Sequence, residues 1–147
     1  MSTADEPTFT RDLDLASRAM GGSVVFANDE FFAERENLIN PGPATFAPED
    51  FGHKGKVYDG WETRRRREPG HDHAVVRLGV PGSITGLVVD TAWFTGNYPP
   101  EVSVEAAAVE GYPSVAELAA VSWVPLVPRS PIGGDRRNLF AVDDDRV

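Results

Sequence analysis

Cysteine is absent from all 147 residues, which removes disulfides, a thiolate nucleophile and thiolate metal ligands together. A reducing compartment is thereby allowed, and a cytoplasmic location is the expectation. The start, MSTADEPTFTR, lacks a basic segment followed by an apolar one. No apolar run elsewhere approaches the roughly 20 residues that span a bilayer. Neither secretion nor membrane insertion is expected. Positive charge is scarce too, with 14 Lys and Arg against 23 Asp and Glu and a formal net charge of −9. Such a field argues against a nucleic-acid partner. Gly79, Gly82 and Gly86 form neither GxGxxG nor a phosphate-binding loop, and no GxSxG is present, so nucleotide binding and serine hydrolysis are poor readings.

What remains is a globular composition: 41% hydrophobic residues, three Trp and eight Phe suit one domain with a core. Met1 to Thr10 reads as a frayed terminus, with a flexible segment through residue 11 and a single domain over 12–147. Asp12 to Met20 suits a short helix stopped by Gly21 and Gly22. Ser23 to Ala27 is β-branched and aromatic, a strand ended by Asn28 and Asp29. Asp29 to Glu36 is one helical turn or an ordered loop. Asn37 to Pro48 holds three prolines and predicts a long packed loop pinned by Leu38, Ile39 and Phe46. Long loops are often functional, which draws attention to Asn28, Asp29 and Asn37.

Further strands are expected at Ala74 to Gly79, at Ile84 to Asp90 with both faces buried, and at Glu101 to Val109. The last alternates, with Val102, Val104, Ala106 and Ala108 inward and Glu101, Ser103 and Glu105 outward. Ser114 and Glu117 form a capping-box pattern opening a short helix. Val121 to Val127 and Asn138 to Val142 complete the set. Short strands with Gly/Pro turns predict an all-β, antiparallel sandwich with under about a quarter of residues helical.

Chemistry concentrates in Val57 to Asn97. Asp59, Trp61, Glu62 and the successive arginines Arg64 to Arg67 are followed by Glu68, His71, Asp72 and His73. In an extended segment Trp61, Thr63, Arg65 and Arg67 share one face, and Glu62, Arg64, Arg66 and Glu68 the other. A guanidinium fork suits carboxylates and ureido carbonyls. His71 and His73 point the same way on a strand, yet the Glu that metal-binding cupins place a few residues later is missing. No metal or cofactor is therefore assigned, and a divalent site on His71, His73 and a distant Asp is the alternative left open. Asp59 before Gly60 is either an Asx turn or a pocket carboxylate. Glu62 suits acid/base work, since desolvation beside Trp61 favours its protonated form, while the neighbouring arginines oppose this. Trp93, Phe94 and Trp123 read as core, and Asn97 as a loop amide able to reach a substrate.

The run DGWETRR, then GHD, then VxRLG and GxxxGxxxDTxxFxGNxP, with VVFANDEFFAERENLINP upstream and GGDRRNLF downstream, resembles the repeat of the allantoicase family. The resemblance implies a jelly-roll of the galactose-binding-like type. It also implies hydrolysis of allantoate to ureidoglycolate and urea, in purine degradation. On that reading Glu62 or His71 serves as acid/base and Asp59 or Asp72 orients. Arg64, Arg65 and Arg67, with Trp61 and Asn97, hold the substrate. The alternatives are a non-catalytic ligand-binding module of the same fold, and an inactive structural half. Because the resemblance covers only the first of the family's two tandem copies and the chain stops at DDDRV, self-association into a homo-oligomer is expected.

Overall fold

The computed structural model describes residues 6–46, 49–53, 55–56 and 59–143. Met1 to Asp5, the end of the expected loop at Pro48, Val57 and the last residues of DDDRV lie outside the described residues. By internal contacts the chain divides into two compact units, Asp14–Pro81 and Met1–Leu13 with Gly82–Val147.

In the Asp14–Pro81 unit, strand β1 (Ser23–Ala27) pairs antiparallel with β4 (Ala74–Arg77), from Ser23 opposite Arg77 to Ala27 opposite Ala74. The short β2 (Phe51–Gly52) and β3 (Gly55–Lys56) form their own antiparallel pair. The helix expected over Asp12 to Met20 is reduced to a 3₁₀ turn, Arg18–Met20. Asp14 explains this: its side chain accepts from the Ala16 N–H and its carbonyl from the Ser17 N–H, closing a local turn instead. Gly21 ends the turn at φ 94°, the left-handed position foreseen for a glycine. Gly79 runs so close beneath it that a Cβ there would lie 2.1 Å from the Met20 carbonyl oxygen.

A second 3₁₀ turn, Arg35–Ile39, enters the stretch expected to be loop. Of the three proposed pins only Ile39 is buried, while Leu38 and Phe46 are exposed. Val24, Ala33 and Ile39 form the buried apolar set described in this unit.

In the other unit, β5 (Gly86–Asp90) pairs antiparallel with β8 (Arg137–Ala141), and β6 (Glu101–Ala106) with β7 (Val124–Pro131). Part of the terminus expected to fray has regular structure here: Thr8–Arg11 is a 3₁₀ turn and the Phe9 ring lies over Gly86. β6 alternates as its sequence predicts, with Glu101, Ser103 and Glu105 exposed, but it ends at Ala106 rather than Val109, and Ala108, expected inward, is exposed beyond it. Strand β5 does not have both faces buried, because Val88 and Asp90 are exposed.

Helix α1 (Val115–Ala119) begins at Ser114, whose hydroxyl accepts from the Glu117 N–H and donates to the Glu117 carboxylate. Trp123 is half-buried, its indole N–H donating to the Leu118 carbonyl at 3.0 Å. That bond ties Trp123 to the helix end, so β7 starts at Val124 rather than Val121 and runs on through Pro131.

Trp93 departs furthest from expectation. It is 51% exposed rather than core, and its φ of 70° turns it out of the chain's run. Asp135, at φ 49°, accepts its N–H at 2.9 Å and donates its own to Thr91 and Phe94 carbonyls. Beneath them the buried Thr91 hydroxyl binds the Gly133 carbonyl at 2.7 Å. Two strained residues thus brace one another.

No described helix is long and apolar enough to cross a membrane. Strands dominate, every described strand pair is antiparallel, and the described helices are short, so the fold is all-β.

Candidate functional site

The site is built where β1 ends and β4 begins. Asn28, the first residue after β1, donates its backbone N–H to the His73 carbonyl at 3.2 Å and accepts the His73 N–H on Oδ1 at 2.8 Å. Its Nδ2 donates to Asp72 Oδ1 at 2.8 Å. That oxygen also receives Arg64 at 3.1 Å and Arg66 at 3.0 Å, while Thr63 donates to Asp72 Oδ2 at 3.3 Å. Asp72 is partly buried, which pushes its pKa up, but the bonds from Asn28, Arg64 and Arg66 overcome this and hold it at about 2.

Asp29 anchors the other side. Its Oδ1 accepts the backbone N–H groups of Arg64 at 2.8 Å and Phe31 at 3.0 Å, and its Oδ2 lies 3.6 Å from the Arg64 guanidinium. Burial raises its pKa, and the two N–H bonds more than offset this, leaving it lowered. The Trp61 indole N–H donates to the Asp29 carbonyl at 2.7 Å. Arg64 is held more firmly protonated, first by its hydrogen bond to Asp72 and then by the charge of Asp29.

Glu62, half-buried, pairs through its backbone with Ala33 in an isolated antiparallel bridge. Arg66 folds back on its own turn, donating to the His71 carbonyl at 3.0 Å and lying 3.8 Å from Glu68. Gly70, at φ 141°, makes room, since a Cβ there would come within 2.8 Å of the Arg66 guanidinium.

The arginines are sorted as their alternation predicts. Arg64 and Arg66 are half-buried on Asp72; Arg65 and Arg67 are exposed. Thr63 nevertheless turns to Asp72 with Arg64 and Arg66 rather than away from them. His71 and His73 are exposed with ring centroids 5.9 Å apart, and His73 packs against Phe26 at 5.2 Å. Among the described residues no group of three or more His, Cys, Asp or Glu side chains can hold a metal ion. The alternative divalent site at His71 and His73 therefore finds no third ligand there.

Asp59 serves elsewhere, accepting from Asn40 at 3.2 Å and from the Thr45 N–H at 2.8 Å and so fixing the proline-rich loop. Asn37 joins it by donating to the Gly60 carbonyl at 3.1 Å. Asn97 is exposed in the other compact unit.

Asn28, Asp29 and Arg66 are central to the cluster. The sequence drew attention to the first two as residues that end a strand and open a long loop, without giving them a role, and to Arg66 only as a member of the run. The available signal was a polar Asn-Asp pair stopping a strand one register away from His71 to His73.

The family model for the allantoicase repeat matches residues 13–147. A probable allantoicase of Nocardia farcinica is 60% identical over 136 residues, covering 91% of this chain and 41% of that protein. One from Streptomyces coelicolor is 58% identical, covering 98% and 41%. The crystal structure of the Saccharomyces cerevisiae allantoicase matches 97% of this chain and 44% of its own, with a TM-score of 0.72 at 34% identity. A second allantoicase structure gives 0.79 at 36%, covering 96% and 44%. The expected antiparallel β-sandwich class accords with these structures. The chain spans about two fifths of the length of these curated relatives, and over that span it belongs to the allantoicase family.

Proposed function

We propose that this chain carries an allantoate site of a ureide-degrading hydrolase, in which allantoate and water give ureidoglycolate and urea. The carbon–nitrogen bond to one urea breaks, the water oxygen joins that carbon, and a proton passes to the departing nitrogen. The observation that supports this reading is the sorted arginine run: Arg64 and Arg66 held by Asp29 and Asp72, with Arg65 and Arg67 exposed beside them.

Arg65 and Arg67 anchor the carboxylate, for which a guanidinium fork is fitted, and Trp61 backs the segment. Asp72 stays ionised well below neutral pH and accepts four side-chain donors, so it orients the arginines and donates no proton. Asp59 orients the loop that carries Thr45. Proton transfer falls to His71 or Glu62: His71 is exposed beside Asp72, and Glu62 is half-buried next to Trp61 in the chain. A soluble enzyme acting in the cytoplasm as a homo-oligomer is part of the same reading. Exposed Phe31, Phe51 and Tyr112 support the association.

Urea release from allantoate by the purified chain tests the function, with glycan binding as the counter-test. Partial coverage of the relatives supports a narrower reading, in which this chain binds the ureide and a longer chain is required for turnover. Allantoate binding without urea release, with release restored in a chain extended through a second repeat, identifies that case.

A further inference from the structure

Among the polar groups at the β1–β4 junction, Asn28 stands apart because both functions of its amide are used on adjacent residues of another segment. Oδ1 takes the His73 N–H and Nδ2 gives to the Asp72 carboxylate, both at 2.8 Å, while the Asn28 backbone N–H reaches the His73 carbonyl. The amide therefore sits against Asp72 and His73 much as two bases pair, with one donor and one acceptor side by side. The carboxylate oxygen it fixes is the one that receives Arg64 and Arg66. Without that bond Asp72 can rotate about its side-chain torsions, and its two guanidinium partners move with it.

We propose that Asn28 is a positioning residue of the anion site, its amide setting Asp72 and, through Asp72, Arg64 and Arg66, which fix the extended segment on which the exposed anchors Arg65 and Arg67 alternate with them. This rests on reading the segment as an allantoate site. The requirement is chemical and narrow. Leucine matches the shape of asparagine but offers no polar atoms. An ionised aspartate accepts but cannot donate. A protonated aspartate does both, with its hydroxyl in place of the amide NH₂. N28D therefore inserts a second carboxyl beside Asp72, and two such neighbours share a proton more tightly than either holds one alone. The charged and titratable groups around this pair are Arg64, Arg66 and Asp29, with His71 and His73 on either side of Asp72.

The test compares the parent chain with N28D and N28L from about pH 5 to about pH 8, following allantoate binding by calorimetry and urea release. N28D at low pH keeps the donor and acceptor and has a KM close to the parent's. As pH rises and the pair loses its proton, KM climbs at least about tenfold relative to the parent, an order set by the loss of one charge-assisted contact. N28L is impaired at every pH. Thermal unfolding at both ends of the range shows that each variant is folded, and N28D at low pH serves if N28L is not. A KM for N28D that tracks the parent throughout overturns the proposal.

A parent chain that neither binds nor cleaves allantoate overturns the functional reading instead. Asn28 is then judged by the side-chain Nε–H resonances of Arg64 and Arg66, whose change with pH is larger in N28D than in the parent. Resonances that change no more in N28D than in the parent overturn the positioning role independently of activity.

Discussion

The Trp61 indole N–H donates to the Asp29 backbone carbonyl at 2.7 Å, so the ring that introduces the arginine run is tied to the residue whose carboxylate receives Arg64. Replacing Trp61 by Phe keeps a ring and removes the donor, leaving a half-buried carbonyl without its partner. Equilibrium denaturation is expected to show a loss of about 1–3 kcal/mol, and a ligand affinity that falls with it. A W61F chain as stable as the parent would show that the bond is replaced by water.

Acid should loosen this site in a defined window. The folded pKa of Asp72 is lowered from the usual 3.8 to about 2, and that of Asp29 is lowered as well. A carboxyl with a depressed folded pKa contributes stability that is fully present above the unfolded value, near pH 4, and is lost as pH falls through the folded value. Unfolding followed between about pH 5 and pH 2 should therefore show a progressive decline that is smaller in D72N. D72N in turn is less stable than the parent at neutral pH, where it lacks the charge facing Arg64 and Arg66.

Arg65→Ala should keep the fold, since its side chain is exposed, and should weaken allantoate binding by about ten- to a hundredfold through loss of a charge-assisted contact. Arg65→Lys should recover only part of it, because an ammonium does not reproduce the fork. Calorimetric titration measures both. Parent-like affinity in Arg65→Ala removes this arginine from the anchor.

Helix α1 depends on the residue before its first turn. Ser114→Ala removes the acceptor for the Glu117 N–H and is expected to cost about 0.5–2 kcal/mol. Hydrogen exchange at the Glu117 and Leu118 amides reports the loss locally, and β6 protection should be unchanged.

Self-association should be visible by light scattering, driven by apolar side chains such as Phe31 at 64% and Phe51 at 73% exposure. Phe51→Ser should lower the associated fraction. A chain that remains monomeric at high concentration removes the homo-oligomer from the reading.

What the sequence made legible was local. The β1 boundaries, the alternation of β6 and the Ser114 cap each depend on residues within a few positions, and each is found as expected. The exposure of Val88 was hidden because burial of an apolar strand depends on how many neighbours cover it. Trp93 was hidden for a sharper reason: its outward turn is held by Asp135, 42 residues away. At the site, alternation divided the arginines correctly but could not say which pair faced Asp72. Asn28 and Asp29 gained their meaning only once β1 lay beside β4.

That last pairing has a consequence for synthesis and assembly. Asn28 and Asp72 are 44 positions apart, and Asp29 and Arg64 are 35 apart, so both junctions require loop closures whose entropy is overcome only when the β1–β4 ladder zips. On a ribosome Asp29 emerges before the arginine run and Asp72 after it, so the cluster closes only once residue 72 and the strand that follows it have been made. A synthetic peptide spanning residues 59–73 would carry the charges and histidines of the site yet bind no anion selectively, because the strand that arranges them, Ser23–Ala27, lies outside it.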